Sequence, residues 1–153
     1  MVLECLQLGN LRYLRAKINI KDMFDRLEKH HIGIIITNEK RVLLEAQGIL
    51  FHEDTTQRTN VSFVMDNELG MYREYIVQEG RVANVKAGFY HFCYNIPNVL
   101  KMNSVEDKIK ANNLGYSLTK LEKSESEECG WVKFYFIKNH GVVEFNLLED
   151  PNV

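Results

Sequence analysis

Four residues in this chain have the types and spacing to hold a metal ion. His31 opens the run His31-Ile32-Gly33-Ile34-Ile35-Ile36, and His91 opens His91-Phe92-Cys93-Tyr94-Asn95-Ile96. Each run leads through a helix-like stretch and hairpin-forming strands to a strand with a glutamate inside it. These are Glu74 in Met71–Val77 and Glu144 in Val142–Leu147. Imidazole nitrogens and carboxylate oxygens suit zinc, nickel, cobalt, manganese or iron(II), and a set of four leaves positions open for water or a substrate. A carboxylate among apolar strand residues is expensive to bury alone. Two of them, each preceded by a strand histidine, have a common explanation in one divalent ion that neutralises both.

Strand side chains alternate between faces. His31 then shares a face with Gly33 and Ile35, while His30 points the other way with Ile32 and Ile34. By the same parity Glu74 sits with Tyr72 and Ile76, His91 with Cys93 and Asn95, and Glu144 with Val142 and Asn146. His30→Ala is therefore expected to keep the metal that His31→Ala loses.

The elements that must position these residues recur twice. His30–Ile36 reads as a strand, Asn38–Gln47 as a short helix stopped by Gly48, and Ile49–Glu53, Val61–Met65 and Met71–Val77 as strands. A polar linker, Glu79 to Gly88, resets the pattern. Phe89–Ile96 follows as a strand ended by Pro97. Ser104 resembles an N-cap, with Glu106 and Asp107 in the first turn of a helix that runs to about Asn113. Tyr116–Leu121, Trp131–Lys138 and Val142–Leu148 complete the series, with Asn139-His140-Gly141 as a hairpin turn. Glu122–Glu128, acidic and serine-containing, reads as a solvated connection. The expected fold class is α+β: two βαβββ modules, residues 28–80 and 88–149, forming a curved mixed β-sheet with helices on its outer side. Residues 1–27 form an N-terminal extension that can be an added helix, a dimer arm or disordered; Met23 is an alternative start.

Composition agrees with a soluble globular domain. The chain has 153 residues, 45% hydrophobic and 26% charged, enough for a core beneath an ordinary polar surface. A net charge of -2 makes no case for nucleic acid or an anionic membrane. No apolar run reaches the length of a membrane span, and the first residues lack a signal peptide's order. Cys5, Cys93 and Cys129 lack metal-finger spacing, so a reducing cytoplasm is the expected location. A lone βαβββ module would leave an open sheet edge, which favours pairing within the chain or between chains, hence a homodimer.

The two βαβββ halves, with His31-Ile32-Gly33-Ile34 and His91-Phe92-Cys93-Tyr94, resemble the vicinal oxygen chelate superfamily. That group includes glyoxalase I and methylmalonyl-CoA epimerase. The resemblance covers about residues 28 to 149, and Val143-Glu144-Phe145 places it nearest the epimerase and glyoxalase-like branch. It implies a divalent metal on His31, Glu74, His91 and Glu144, with Glu144 or Glu74 moving a proton. The implied function is a metal-dependent isomerase or lyase acting on a small oxo or acyl-CoA substrate through a metal-stabilised enediolate or enolate. One departure stands out. Epimerases of this type tend to carry Glu-Gln-Gly before the third strand of module one, with that glutamate as a base; here the stretch reads Thr56-Gln57-Arg58. Glu53 and Asp54 are nearby substitutes. The alternative function is a non-catalytic module that binds or sequesters a small molecule.

Overall fold

The computed structural model describes residues 20–153, so most of the N-terminal extension lies outside the described residues. A short helix α1 (Ile20–Phe24) leads into β1 (Glu28–Ile36), α2 (Asn38–Ala46), β2 (His52–Asp54), β3 (Thr59–Asp66) and β4 (Met71–Val77). After a 3-10 turn at Gly80–Val82 come β5 (Gly88–Ile96), α3 (Val99–Ala111), β6 (Gly115–Ser117), β7 (Glu122–Lys123), β8 (Trp131–Ile137) and β9 (Gly141–Leu147). One mixed sheet runs β2-β3-β4-β1-β5-β9-β8-β6, with β7 also pairing with β8. β1 is parallel to β4, β5 is parallel to β9, and β1 and β5 join the modules antiparallel. The expected α+β fold of two βαβββ modules is the one observed. The edge that motivated a dimer is closed here by β1–β5 pairing within one chain.

The helices cover one face of the sheet because alternate strand residues bury there. Met102, Val105 and Ile109 repeat at helical spacing on α3 and pack on Tyr94, Ile96, Val143, Phe145 and Leu147. α2 contributes Leu44 to a smaller cluster with Ile36 and Val77. Thr37 caps α2, and Asn98 caps α3 by accepting a hydrogen bond from Lys101 N at 2.8 Å. α3 thus begins five residues ahead of the expected Ser104 cap. Pro97 ends β5 and Asn98 supplies the acceptor at once, leaving Ser104 inside the helix.

The strand edges also differ from expectation. Ile49 and Phe51, expected to pair in β2, pack beside Leu44, so β2 starts only at His52. β6 stops at Ser117, and the short β7 takes up pairing with β8 farther along. The described end of the extension is structural: Met23, Phe24 and Leu27 are buried in the second module's core, and Phe24 stacks on Tyr94 at 5.0 Å. The polar linker also has a buried anchor. Val82 inserts into the open face of the sheet with Ile35, Val61 and Ile76.

Candidate metal centre

His31, Glu74, His91 and Glu144 come from β1, β4, β5 and β9, the four central strands of the sheet. Register brings them together. Gly33 lies beside both Glu74 and His91, while Cys93 lies beside both His31 and Glu144. A Cβ at Gly33 would stand 2.2 Å from His91 Cε1, so only glycine leaves room for that ring. All four residues are buried, with both histidines 0% exposed. The parity expected for these four side chains holds.

Their ligating atoms face one point. His31 Nε2 lies 3.0 Å from Glu144 Oε2 and 3.2 Å from Glu74 Oε2. His91 Nε2 lies 2.9 Å and 3.4 Å from the same two oxygens. The two Nε2 atoms are 3.1 Å apart. Ligand bonds of about 2.0–2.2 Å to one ion would separate neighbouring donors by about 3–3.5 Å, which this cluster matches. The chemistry fits as well. Two carboxylates balance a divalent charge, and two facing imidazole nitrogens can both present lone pairs to a cation. Among the described residues Glu74 Oε2 has no hydrogen-bond donor of its own despite its burial, as expected of an atom reserved for an ion. These four residues could hold a metal.

The surrounding electrostatics are strongly coupled. Burial opposes ionisation of Glu144, but His31 and His91 outweigh it and hold the carboxyl well below its usual range. Burial also opposes a charged His31, yet its buried neighbours, the Glu144 carboxylate among them, raise its pKa well above the ordinary value. Burial pushes the Cys93 thiol far up and the Cys129 thiol up to about 12. Both cysteines are free, and both stay protonated at neutral pH.

Gln57 is a residue that parity and spacing missed. Its Nε2 donates to Glu74 Oε1 and to Asp54 Oδ2, each at 3.0 Å. Burial raises the Asp54 pKa, whereas Glu53 is exposed. The signal was the Thr56-Gln57-Arg58 stretch, whose middle residue keeps the glutamine of the resemblance. Arg58 takes the following glycine's place at φ 54.

His30 departs from expectation. β1 carries a bulge between Lys29 and His31: Lys29 pairs with Tyr94 and His31 with the next residue, Cys93, leaving His30 unpaired. The extra residue cancels the alternation, and His30 turns toward the same side as His31. Its ring packs near Tyr72 and Phe63, and its Nδ1 lies 2.7 Å from His31 Nδ1. β5 has the matching irregularity at Tyr90, immediately before His91.

The acidic loop is also more than a solvated connection. Ser126 and Cys129 are buried. Ser126 Oγ lies 2.9 Å from His52 Nε2, and the Glu125 carboxylate accepts from Thr55 N and Oγ1. The loop from module two therefore docks across module one, beside the tetrad. The Glu125 carboxylate and the Ser126 hydroxyl make the contact.

A cleft reaches this region. It holds about 80 Å³ and is lined by Gln57, Arg81, Val82, Tyr90, Thr119 and Phe134 among others. Its inner wall abuts the tetrad: Gln57 bonds Glu74, while the Tyr90 and Phe134 rings pack on His91 at 5.2 and 5.4 Å. Among the described residues no helix is long and apolar enough to cross a membrane.

No protein-family model matches the sequence, and no curated protein does. Solved structures do match. A hypothetical protein from Bacillus halodurans is 16% identical with a TM-score of 0.58, covering 82% of this chain and 96% of that one. Methylmalonyl-CoA epimerase from Mycobacterium tuberculosis is 7% identical with a TM-score of 0.55, covering 80% and 89%. A variant of the Streptomyces coelicolor methylmalonyl-CoA epimerase, in complex with 2-nitronate-propionyl-CoA, is 15% identical with a TM-score of 0.51, covering 82% and 99%. The chain has the vicinal oxygen chelate fold.

Proposed function

We propose that this protein is a metal-dependent isomerase or lyase that moves a proton next to a carbonyl of a small oxo or acyl-CoA substrate. One observation carries the reading: two imidazoles and two carboxylates, buried and mutually in contact, converge beside a cleft. His31, Glu74, His91 and Glu144 would hold a divalent ion. When bound, such an ion polarises the carbonyl of a substrate with two adjacent oxygens, which makes the neighbouring carbon more acidic.

The chain's own residues supply the rest. Glu144 makes the shorter contacts to both histidines and serves as the fixed anionic ligand. Glu74 makes the longer ones, and its other oxygen is held by the Gln57 amide at the cleft wall. Glu74 is therefore the carboxylate we assign to proton transfer, with Gln57 keeping it aimed as it gains and returns the proton. Val82, Tyr90 and Phe134 exclude water, so charge that develops in the cleft is poorly screened by solvent. The cleft takes the reacting end of a substrate, with Arg81 at its wall.

Elemental analysis of the purified protein should find a divalent metal, and a chelator should lower its melting temperature. Deuterium exchange at the carbon next to the carbonyl should then be followed on 2-oxo and acyl-CoA compounds. Glu144→Gln should lose most bound metal. Glu74→Gln should retain metal and lose exchange by about 10²–10⁴-fold, the usual contribution of a positioned acid–base group. Absence of metal, with a melting temperature indifferent to chelator and added metal, would sink the proposal. Bound metal without exchange on any compound would instead favour the non-catalytic binding module.

A further inference from the structure

We infer that His30 and His31 form a hydrogen-bonded relay that sets the tautomer of His31. This makes His30 a positioning residue for the ion. The inference rests on the metal reading above. It starts from the 2.7 Å contact between His30 Nδ1 and His31 Nδ1, which the bulge in β1 creates. Two ring nitrogens at that distance need one proton between them, with one donating and the other accepting. His31 Nε2 is the nitrogen aimed at Glu74, His91 and Glu144. To offer a lone pair there, neutral His31 must carry its proton on Nδ1 and donate it to His30 Nδ1.

His30 must then be protonated on Nε2. The chain thus has one consistent direction: His31 Nδ1–H to His30 Nδ1, and the His31 Nε2 lone pair to the ion. Metal-binding histidines commonly donate their second N–H to a carboxylate or a carbonyl. Here the acceptor is a second imidazole, whose ring packs near Phe63 and Tyr72.

The competing use of the same atoms is a second ion. His30, His31 and Cys129 also bring three donor atoms together. Stoichiometry separates the two uses.

The full-length chain and its His30→Ala and His30→Asn variants should be titrated with cobalt(II) alone, in competition with a chelator. Asn Oδ1 falls near the position of a histidine Nδ1 and can accept the same hydrogen bond. We expect one cobalt per chain, an affinity about 10- to 100-fold weaker in His30→Ala, and substantial recovery in His30→Asn. In the zinc-loaded unmutated chain, ring ¹⁵N shifts should show His31 protonated on Nδ1 and His30 on Nε2. In zinc-loaded His30→Asn the His31 assignment should persist. Equal affinity in all three chains would overturn the relay while leaving the metal reading intact. Two ions per chain, reduced to one by His30→Ala, would overturn it in favour of the second site. An unmutated chain that binds no cobalt would overturn both. Should His30→Ala fail to fold, the nitrogen shifts and His30→Asn still decide the question.

Discussion

His31 and His91 are each preceded by a bulged residue, yet their surroundings diverge. In module one the bulged residue is His30, whose ring nitrogen bonds His31 Nδ1. In module two it is Tyr90, whose ring packs edge-on against His91 and turns to the cleft, and His91 Nδ1 has no hydrogen-bond partner among the described residues. The residues lateral to the rings differ in the same way. Gly33 yields its side-chain space to His91, whereas the matching Cys93 keeps a buried thiol beside His31. Two modules with one element order thus place two histidines by the same backbone device, then hold one by hydrogen bonding and the other by steric fit.

That contrast is open to direct attack. The largest effect is expected at Gly33. Gly33→Ala puts a methyl into the His91 ring and should cost about 1–3 kcal/mol of stability, the range for overpacking, and abolish metal binding. Cys93→Ala, at the matching place in module two, should cost only about 1 kcal/mol and keep the metal, because it removes one atom from a packed site. Chemical denaturation and metal titration on both variants would check this. Equal losses would mean that the modules do not differ as described.

A smaller difference lies in the helix caps. Asn98 Oδ1 accepts from Lys101 N at 2.8 Å, while Thr37 Oγ1 accepts from Lys40 N at 3.3 Å. Asn98→Ala should cost about 1 kcal/mol and Thr37→Ala visibly less, by urea melts. The order reverses if the short α2 depends on its cap more than the well-packed α3 does.

The smallest effect is alkaline and confined to module two. Burial raises the Tyr94 phenol to about 12 and the Tyr135 phenol higher still, Tyr135 also by donating to Glu106. A folded-state pKa above the unfolded value near 10 gives stability that is complete below pH 10 and is lost as pH rises toward 12. Melting temperature should fall through that window, and Tyr94→Phe should flatten the fall. An unchanged slope in that variant would refute the assignment.

Much of this site could be read from the chain because strand alternation is strict wherever pairing is regular. His31, Glu74, His91 and Glu144 each lie among apolar neighbours on a strand of period two, and all four landed on the predicted face. His30 was misread for a definite reason. A bulge adds one residue and leaves no mark in composition, so parity counted across it reverses. Ser126 was misread because a polar loop can bury a small side chain when it docks on a distant element. Val82 is the same case in reverse, an apolar residue in a polar linker that packs on the open face of the sheet with Ile35, Val61 and Ile76. The start of α3 was misplaced because a well-formed acidic first turn at Ser104 competed with the plainer Pro97-Asn98 signal.

The antiparallel joint between β1 and β5 has a consequence for how the molecule comes apart. Each side of that joint owns one imidazole and one carboxylate, so neither side alone has a complete donor set. A bound ion would act as a clasp across the joint. Tethered through the linker, the two donor pairs face each other at high effective concentration, so an ion released from one pair would be recaptured by the other. Chain cut between residues 83 and 87 would turn that clasp into a reporter, its closure registering whether the two halves had found each other.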